Sequence, residues 1–262
     1  MKNPWLHRSA ILVAIVSLMV IAWGALLTSE TRTFPGATVA SAVSAPSLEQ
    51  VHRIAGFVVA FLMCFVANWT LRSNLIRSMA GITAIVEIAS GRAPIVHALF
   101  APLFFSFAVA IAVLSSKSWE AGPKHVECSW KPLRPLGIAV PILVVLQIGL
   151  GTAFRHNAMG VVWHILDALI VLAIAMVAGV CVLRQYEEHD SLRPAALALL
   201  IIVGVQVLLG FSVYLVLLMS SENNTGLIVT GMLHVVNGSL TLAASVVLAM
   251  QMNRNLIQLS GA

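Results

Sequence analysis

The sequence predicts an all-α integral membrane protein of eight transmembrane helices, arranged as two pseudo-repeated four-helix bundles. Of the 262 residues, 60% are hydrophobic and only 10% are charged, whereas soluble domains carry about 25% charged residues. Apolar runs long enough to cross a bilayer occupy nearly the whole chain, since a spanning helix needs about 20 apolar residues. These two observations exclude a sizeable soluble domain.

Eight segments meet this length. The first follows a short basic stretch and lacks a small-residue cleavage site, so we expect it to be a retained helix and not a signal peptide. The third is the shortest and carries Glu87, which leaves seven spans as an alternative. The predicted spans are 10–27, 51–69, 76–90, 94–114, 136–153, 161–183, 195–220 and 226–250.

The basic residues predict the orientation. With eight spans and the N-terminus inside, eleven of the 15 Lys and Arg residues fall in cytoplasmic segments, as the positive-inside rule requires. We therefore expect a multi-pass protein with both termini cytoplasmic; the family resemblance described below implies the cell inner (plasma) membrane. The basic residues are scattered over short loops, so the net charge of +5 indicates topology and not a nucleic-acid partner.

An internal repeat predicts the domain organisation. "LQIGLG" (146–151) closes the fifth span, and the similar "VQVLLG" (205–210) lies within the seventh. A basic loop at 115–135 separates the two sets of four spans. We predict an N-terminal half at 1–114, a cytoplasmic linker at 115–135 and a C-terminal half at 136–262.

Four of the eight histidines form a pattern. Each lies within the first turns from the outer surface, on spans two, four, six and eight: His52, His97, His164 and His234. A single histidine at such a position is usually a packing group, but four in one layer favour a shared role, because ionisable groups in spans are costly. Of the others, His7, His125 and His189 are expected to face water in cytoplasmic segments.

Paired imidazoles on neighbouring helices suit iron held through both axial positions of a haem. Zinc is the alternative, but it normally recruits three or four protein ligands at one point, and no such cluster is apparent. Arg53 and Arg155 lie at outer helix ends, where each would pair with haem carboxylates or extend into lipid headgroups. Glu49 precedes His52 by three residues, and Asp167 follows His164 by three. Either acid would orient its histidine.

These motifs resemble those of the haem A synthase family. The matching segments are "EQVHR" (49–53), "APIV" before His97, "LQIGLGTAFRH" (146–156), "VVWHILDAL" (161–169) and "GMLHVVNGSL" (231–240). The resemblance covers essentially the whole chain. It departs from the pattern in the first outer loop (29–47), which contains no cysteine pair.

The resemblance implies a division of labour between the halves. His164 and His234 would hold a haem b cofactor, and His52 and His97 would receive the substrate, haem O. One ring methyl would become a formyl group through two successive hydroxylations and loss of water, with Glu49 near that methyl. The partners implied are haem O synthase, an electron donor and the lipid bilayer, and homo-oligomerisation stays open.

Three other functions remain open from the sequence. A dihaem electron-transfer cytochrome would use the same four histidines, although ligands in one layer suit a transmembrane wire poorly. A haem carrier in oxidase assembly would bind haem without changing it. A transporter is the least favoured, because its polar groups would lie near the bilayer midplane.

Gln147 and Gln206 are expected to form interhelical hydrogen bonds.

Overall fold

The fold is all-α, with one short parallel strand pair. The computed structural model describes residues 4–30, 46–70, 81–82, 84–86, 93–128, 130–219 and 225–258. The helices are α1 (Pro4–Glu30), α2 (Pro46–Thr70), α3 (Pro94–Leu114), α4 (Lys117–Glu120), α5 (Leu133–Arg155), α6 (Val161–Gln185), α7 (Leu192–Met219) and α8 (Thr225–Asn255). The strands are β1 (Val126–Cys128) and β2 (Leu256–Gln258).

Within the described residues, seven helices are long and apolar enough to cross a membrane. They coincide with seven of the predicted spans and confirm a multi-pass, all-α membrane-type chain. Most of these helices extend beyond the predicted bounds: α1, for example, begins at Pro4 and ends at Glu30, although 10–27 was predicted. Helix α3 has the predicted bounds, 94–114. Most of the predicted third span, 76–90, lies outside the described residues; the part that is described, 81–82 and 84–86, is helical.

Two hydrophobic clusters hold the helices together. One is built from α1, α2 and α3, with Val13, Met63 and Ile111 fully buried. The other is built from α5, α6 and α7, with Leu133 and Leu199 at its centre. On the outside, large apolar side chains remain exposed, as expected for a surface that faces lipid tails.

Helix α8 belongs to both clusters. It contacts α1 and α3 on one side and α5 and α7 on the other. Ala243 is buried in the first cluster, and its neighbour Leu242 is buried in the second. Small residues such as alanine allow the close backbone approach that helix packing in membranes requires. The eighth helix therefore joins the N-terminal helices to the C-terminal ones.

The linker 115–135 is folded. Its strand β1 pairs in parallel with β2, so that Val126 lies opposite Leu256. The backbone N–H of Lys124 donates to Asn255 Oδ1 over 2.9 Å, and its side chain forms an ion pair with Asp190. The hydrogen bond from the Lys124 ammonium group to Asp190, together with the positive charge of that group, lowers the pKa of the Asp190 carboxyl. The linker is thus fastened to the chain after α8 and to the loop between α6 and α7.

The expectation that His189 faces water is wrong. Only 9% of this residue is exposed. Its Nδ1 accepts hydrogen bonds from the backbone N–H groups of Ser191 and Leu192, each over 3.2 Å, at the start of α7. Because Nδ1 accepts, Nε2 carries the proton and donates to the carbonyl of Lys124 over 2.9 Å. His189 is a structural residue that joins the linker to α7.

Candidate functional site

All four span histidines line one cavity of about 1310 Å³. It lies between the helices of the two hydrophobic clusters and exceeds the roughly 300–1,000 Å³ of an ordinary small-molecule pocket. Its walls are largely apolar. The polar groups that were singled out from the sequence line it as well: Glu49, Arg53, Gln147, Arg155 and Gln206.

Two of the histidines form an N-terminal pair. His52 lies on α2 and His97 in the first turn of α3. Their ring centroids are 6.1 Å apart, and the ring planes are nearly perpendicular, at 87°. Pro94 begins α3 because its fixed φ suits a first helical turn and its missing N–H costs nothing there. This start places His97 in the first turn of α3, where its ring approaches that of His52.

The C-terminal pair repeats this geometry. His164 lies in the first turn of α6 and His234 in the third turn of α8. Their ring centroids are also 6.1 Å apart, with an interplanar angle of 80°. The two pairs, which come from four different helices, therefore have the same centroid separation and nearly the same interplanar angle.

Glycines form a cradle for three of these imidazoles. A Cβ atom on Gly24 would lie 2.8 Å from Cε1 of His52, and one on Gly151 would lie 2.8 Å from Cε1 of His164. A Cβ atom on Gly210 would lie 3.1 Å from Cε1 of His234. Each glycine lies on the helix that precedes its histidine in the described chain: Gly24 on α1, Gly151 on α5 and Gly210 on α7. The missing side chains leave the space that the rings occupy.

Glutamine amides contact the C-terminal pair. Gln147 Nε2 lies 3.4 Å from His164 Nε2, and Gln206 Nε2 lies 3.4 Å from His234 Nε2. The other ring nitrogen of His164, Nδ1, lies 3.1 Å from the backbone carbonyl of Gln147. Both glutamines thus make the interhelical contacts expected of amides in a span, and their partners are the candidate ligands.

The residues present fit a haem iron held between paired imidazoles. With metal–nitrogen bonds of about 2 Å, rings flanking one metal ion have centroids roughly 6 Å apart, which matches both pairs. Nδ1 of His52 is buried and makes no hydrogen bond within the described residues. No group of three or more His, Cys, Asp or Glu is gathered among the described residues, so a zinc site with three protein ligands finds no counterpart there.

Glu49 pairs with Arg53 and not with His52. Arg53 donates to the Glu49 carboxylate over 2.6 Å, one helical turn away, and both side chains are more than half exposed. The i,i+4 spacing of α2 favours this contact. The proposed orientation of His52 by Glu49 is therefore absent from this geometry, although both residues line the cavity.

Arg155 links the two sets of helices at the cavity wall. From the last turn of α5 it donates to the carbonyl of Ala25 and to the hydroxyl of Thr28, each over 2.7 Å. Both acceptors lie in the last two turns of α1. From the sequence we expect Arg155 to pair with haem carboxylates or to extend into lipid headgroups; its hydrogen-bond partners here are on α1.

Asp167 takes no part in the cavity. It is 6% exposed, and its Oδ2 has no hydrogen-bond partner among the described residues. The cavity lining includes His164 and Ala168 of the same helix but not Asp167. Nothing in its contacts shows it orienting His164.

Sequence reasoning missed the glycine cradle. The signal was present in the two similar segments "LQIGLG" and "VQVLLG", in which a glutamine is followed by a glycine four residues later. That spacing places both on one helix face. The first outer loop, whose cysteine-free sequence departs from the resemblance, lies mostly outside the described residues.

No family model matches this chain, and no curated protein matches it.

Proposed function

We propose that the chain is a haem A synthase. It would oxidise a ring methyl of haem O to a formyl group, giving haem A for terminal oxidases. In this proposal eight spans form two pseudo-repeated bundles, and each bundle contributes one histidine pair. The observation that carries it is the equal 6.1 Å separation of the two pairs within one cavity. A single packing histidine would give no reason for that match.

The two pairs are assigned different roles. His164 and His234 would hold haem b, and His52 and His97 would bind haem O. When bound, haem supplies the redox chemistry, and the protein contributes ligation, orientation and proton handling. Glycine faces against the rings fix where the ligand nitrogens lie, and the apolar cavity wall excludes water from them.

Charged residues at the cavity wall complete the assignment. Arg53 is proposed to bind haem carboxylates, because an exposed guanidinium at the cavity wall offers a bidentate donor. Arg155 would do so while keeping its contacts to α1. Glu49 would accept a proton near the methyl group, after its ion pair with Arg53 opens.

The proposal includes the setting of the enzyme. Seven candidate spans support a bilayer environment. The charge pattern supports two cytoplasmic termini. The resemblance supports a location in the cell inner membrane, and it supports haem O synthase and an electron donor as partners. A homo-oligomer stays open.

A second function is favoured by the Glu49–Arg53 ion pair. A carboxylate already paired over 2.6 Å and more than half exposed is consistent with a structural residue. A chain in which Glu49 is structural would bind two haems and pass electrons between them, as a dihaem cytochrome. A haem carrier would use the same ligands without altering either haem.

One purification separates these functions. The protein would be produced in a host that makes haem O, and its extracted haems identified by mass. We expect haem b together with haem A or its hydroxylated intermediate. Haem O recovered unchanged beside haem b would overturn the synthase and favour the cytochrome or the carrier. Electrons would then be supplied by a chemical donor. Rapid electron transfer from one haem to the other would indicate the cytochrome, and its absence would indicate the carrier.

The control for this experiment is His164→Ala. It removes one ligand of the proposed haem b site and leaves the N-terminal pair intact. We expect loss of tightly bound haem b, read from the absorption spectrum. An unchanged haem content and spectrum would contradict the assignment of this pair.

A further inference from the structure

Each imidazole of the C-terminal pair is approached by the same two-residue unit. On α5, Gln147 and Gly151 both contact His164, and on α7, Gln206 and Gly210 both contact His234. In each unit the glutamine precedes the glycine by four residues, so the two side-chain positions lie one turn apart on one face. The glycine makes room for the ring, and the glutamine reaches its Nε2 atom.

The contact determines which ring nitrogen carries the proton. An amide nitrogen only donates, so Nε2 of each histidine is the acceptor and the proton of the neutral ring lies on Nδ1. For His164 that proton has its own acceptor, the carbonyl of Gln147 at 3.1 Å. This is the tautomer in which Nε2 is free to bind a metal ion. The unit therefore selects the ligand form of the ring.

The orientation of one amide is fixed independently. Asn237 Nδ2 donates to Gln206 Oε1 over 2.8 Å and to the carbonyl of Ile202 over 3.0 Å. The oxygen of Gln206 is thereby assigned, and its NH₂ group is directed to His234. Gly238 allows this amide to lie against α8, because a Cβ there would be 3.3 Å from Gln206 Nε2.

The position opposite His52 differs. Gly24 makes the same close approach to the ring, but the residue four positions earlier is Val20, which also lines the cavity. No amide contacts His52 among the described residues, although its Nδ1, like that of His234, is buried without a hydrogen bond there. His52 thus has the glycine and lacks the glutamine.

We propose that Gln147 and Gln206 are positioning residues that make the C-terminal pair a permanent haem site, and that valine at position 20 leaves His52 in an exchangeable one. The inference rests on the proposed function, because it assigns resident haem to one pair and substrate haem to the other. A haem iron would take the place of the amide N–H at Nε2, the ring nitrogen that the amide keeps unprotonated. No such amide contacts His52 in the described part of the chain, so the orientation of its ring must be fixed each time a haem binds.

The first test uses Gln147→Met and Gln206→Met, which keep side-chain length and remove the donor. The full-length protein is purified from a haem-producing host, and loss of haem b to an excess of apomyoglobin is timed. We expect about tenfold faster loss, the lower end of what removing a residue that orients a metal ligand costs, and an altered low-spin EPR signal as the ring planes turn. Gln185→Met, on the exposed end of α6, should match the wild type.

The second test adds the missing group. We expect Val20→Gln to raise the amount of slowly lost haem b from one towards two per chain. Unchanged or slower haem loss in both Met variants would overturn the role of the glutamines, and a constant ratio of one in Val20→Gln would overturn that of position 20. A wild-type protein without any haem would overturn the proposed function itself, which separates the two failures.

Discussion

Arg155 at the end of α5 donates a hydrogen bond to the carbonyl of Ala25 near the end of α1, 130 positions earlier in the chain. It is a direct polar link between the helices of the two hydrophobic clusters, and it lies at the wall of the cavity that contains both histidine pairs. Its strength can be measured.

We expect Arg155→Gln to lower the free energy of unfolding by about 1–3 kcal/mol, because a hydrogen bond from a charged group is lost at a partly buried site. Thermal unfolding in detergent would measure this effect. Arg184→Gln, at an exposed position of α6, is the control. Equal Tm values for the two variants would show that the link contributes nothing.

The glycine cradle predicts a different kind of defect. In Gly151→Ala the new Cβ would lie 2.8 Å from His164 Cε1, so the ring must swing away while the helix backbone stays in place. We expect near-normal Tm but loss or spectral change of bound haem. Gly204→Ala, which has open space around its Cβ, should bind haem normally. A normal spectrum in both would mean that the ring tolerates the shift.

Glu49 separates catalysis from stability. Its ion pair with Arg53 is exposed, and such pairs contribute about 0.2–1 kcal/mol at most. We therefore expect Glu49→Gln to keep its Tm and its haem content and to lose haem A formation, measured by mass of the extracted haems. Undiminished haem A would make Glu49 a structural residue of α2.

His189 should matter for folding and not for haem. His189→Ala removes a donor to Lys124 and an acceptor for two backbone N–H groups. Because buried groups left unpaired cost about 1–3 kcal/mol each, we expect a clearly lower Tm with an unchanged haem spectrum. The exposed His125, replaced by alanine, is the matched control. A Tm loss no greater than that control would contradict the role given to His189.

The Lys124–Asp190 pair predicts a pH dependence. The folded protein lowers the pKa of Asp190, so the pair stabilises the fold above the ordinary pKa of a carboxyl group. That contribution disappears as the pH falls through the lowered value. Tm values of the wild type and Lys124→Met should differ at pH 7 and converge in acid. A difference that stays constant with pH would exclude the carboxylate as the cause.

Much of the fold follows from composition and periodicity, because a bilayer imposes helix length and an apolar surface. The positions of seven helices could be predicted on that basis. The position of each histidine along its span likewise follows from counting residues, and the rings of His52 and His97 and of His164 and His234 lie 6.1 Å apart. These are properties of single segments.

Contacts between segments could not be predicted in the same way. Periodicity shows that Gln147 and Gly151 share a helix face, but not which helix that face meets. The burial of His189 depends on the linker folding back onto the α6–α7 loop, and a polar loop sequence contains no sign of this. In the sequence Glu49 lies close to both His52 and Arg53, and only the helix geometry shows that Arg53 is its partner.

Helix α8 has a consequence for the order in which the molecule is made. His52 and His97 both precede the linker, so their pair can form while the ribosome is still synthesising the rest. His234 is the last of the four histidines in the chain, and α8 also covers α1 and α3. Until α8 is inserted, the wall of the cavity that it forms is missing. The first pair therefore acquires its complete surroundings only after the helices that follow the linker have been made.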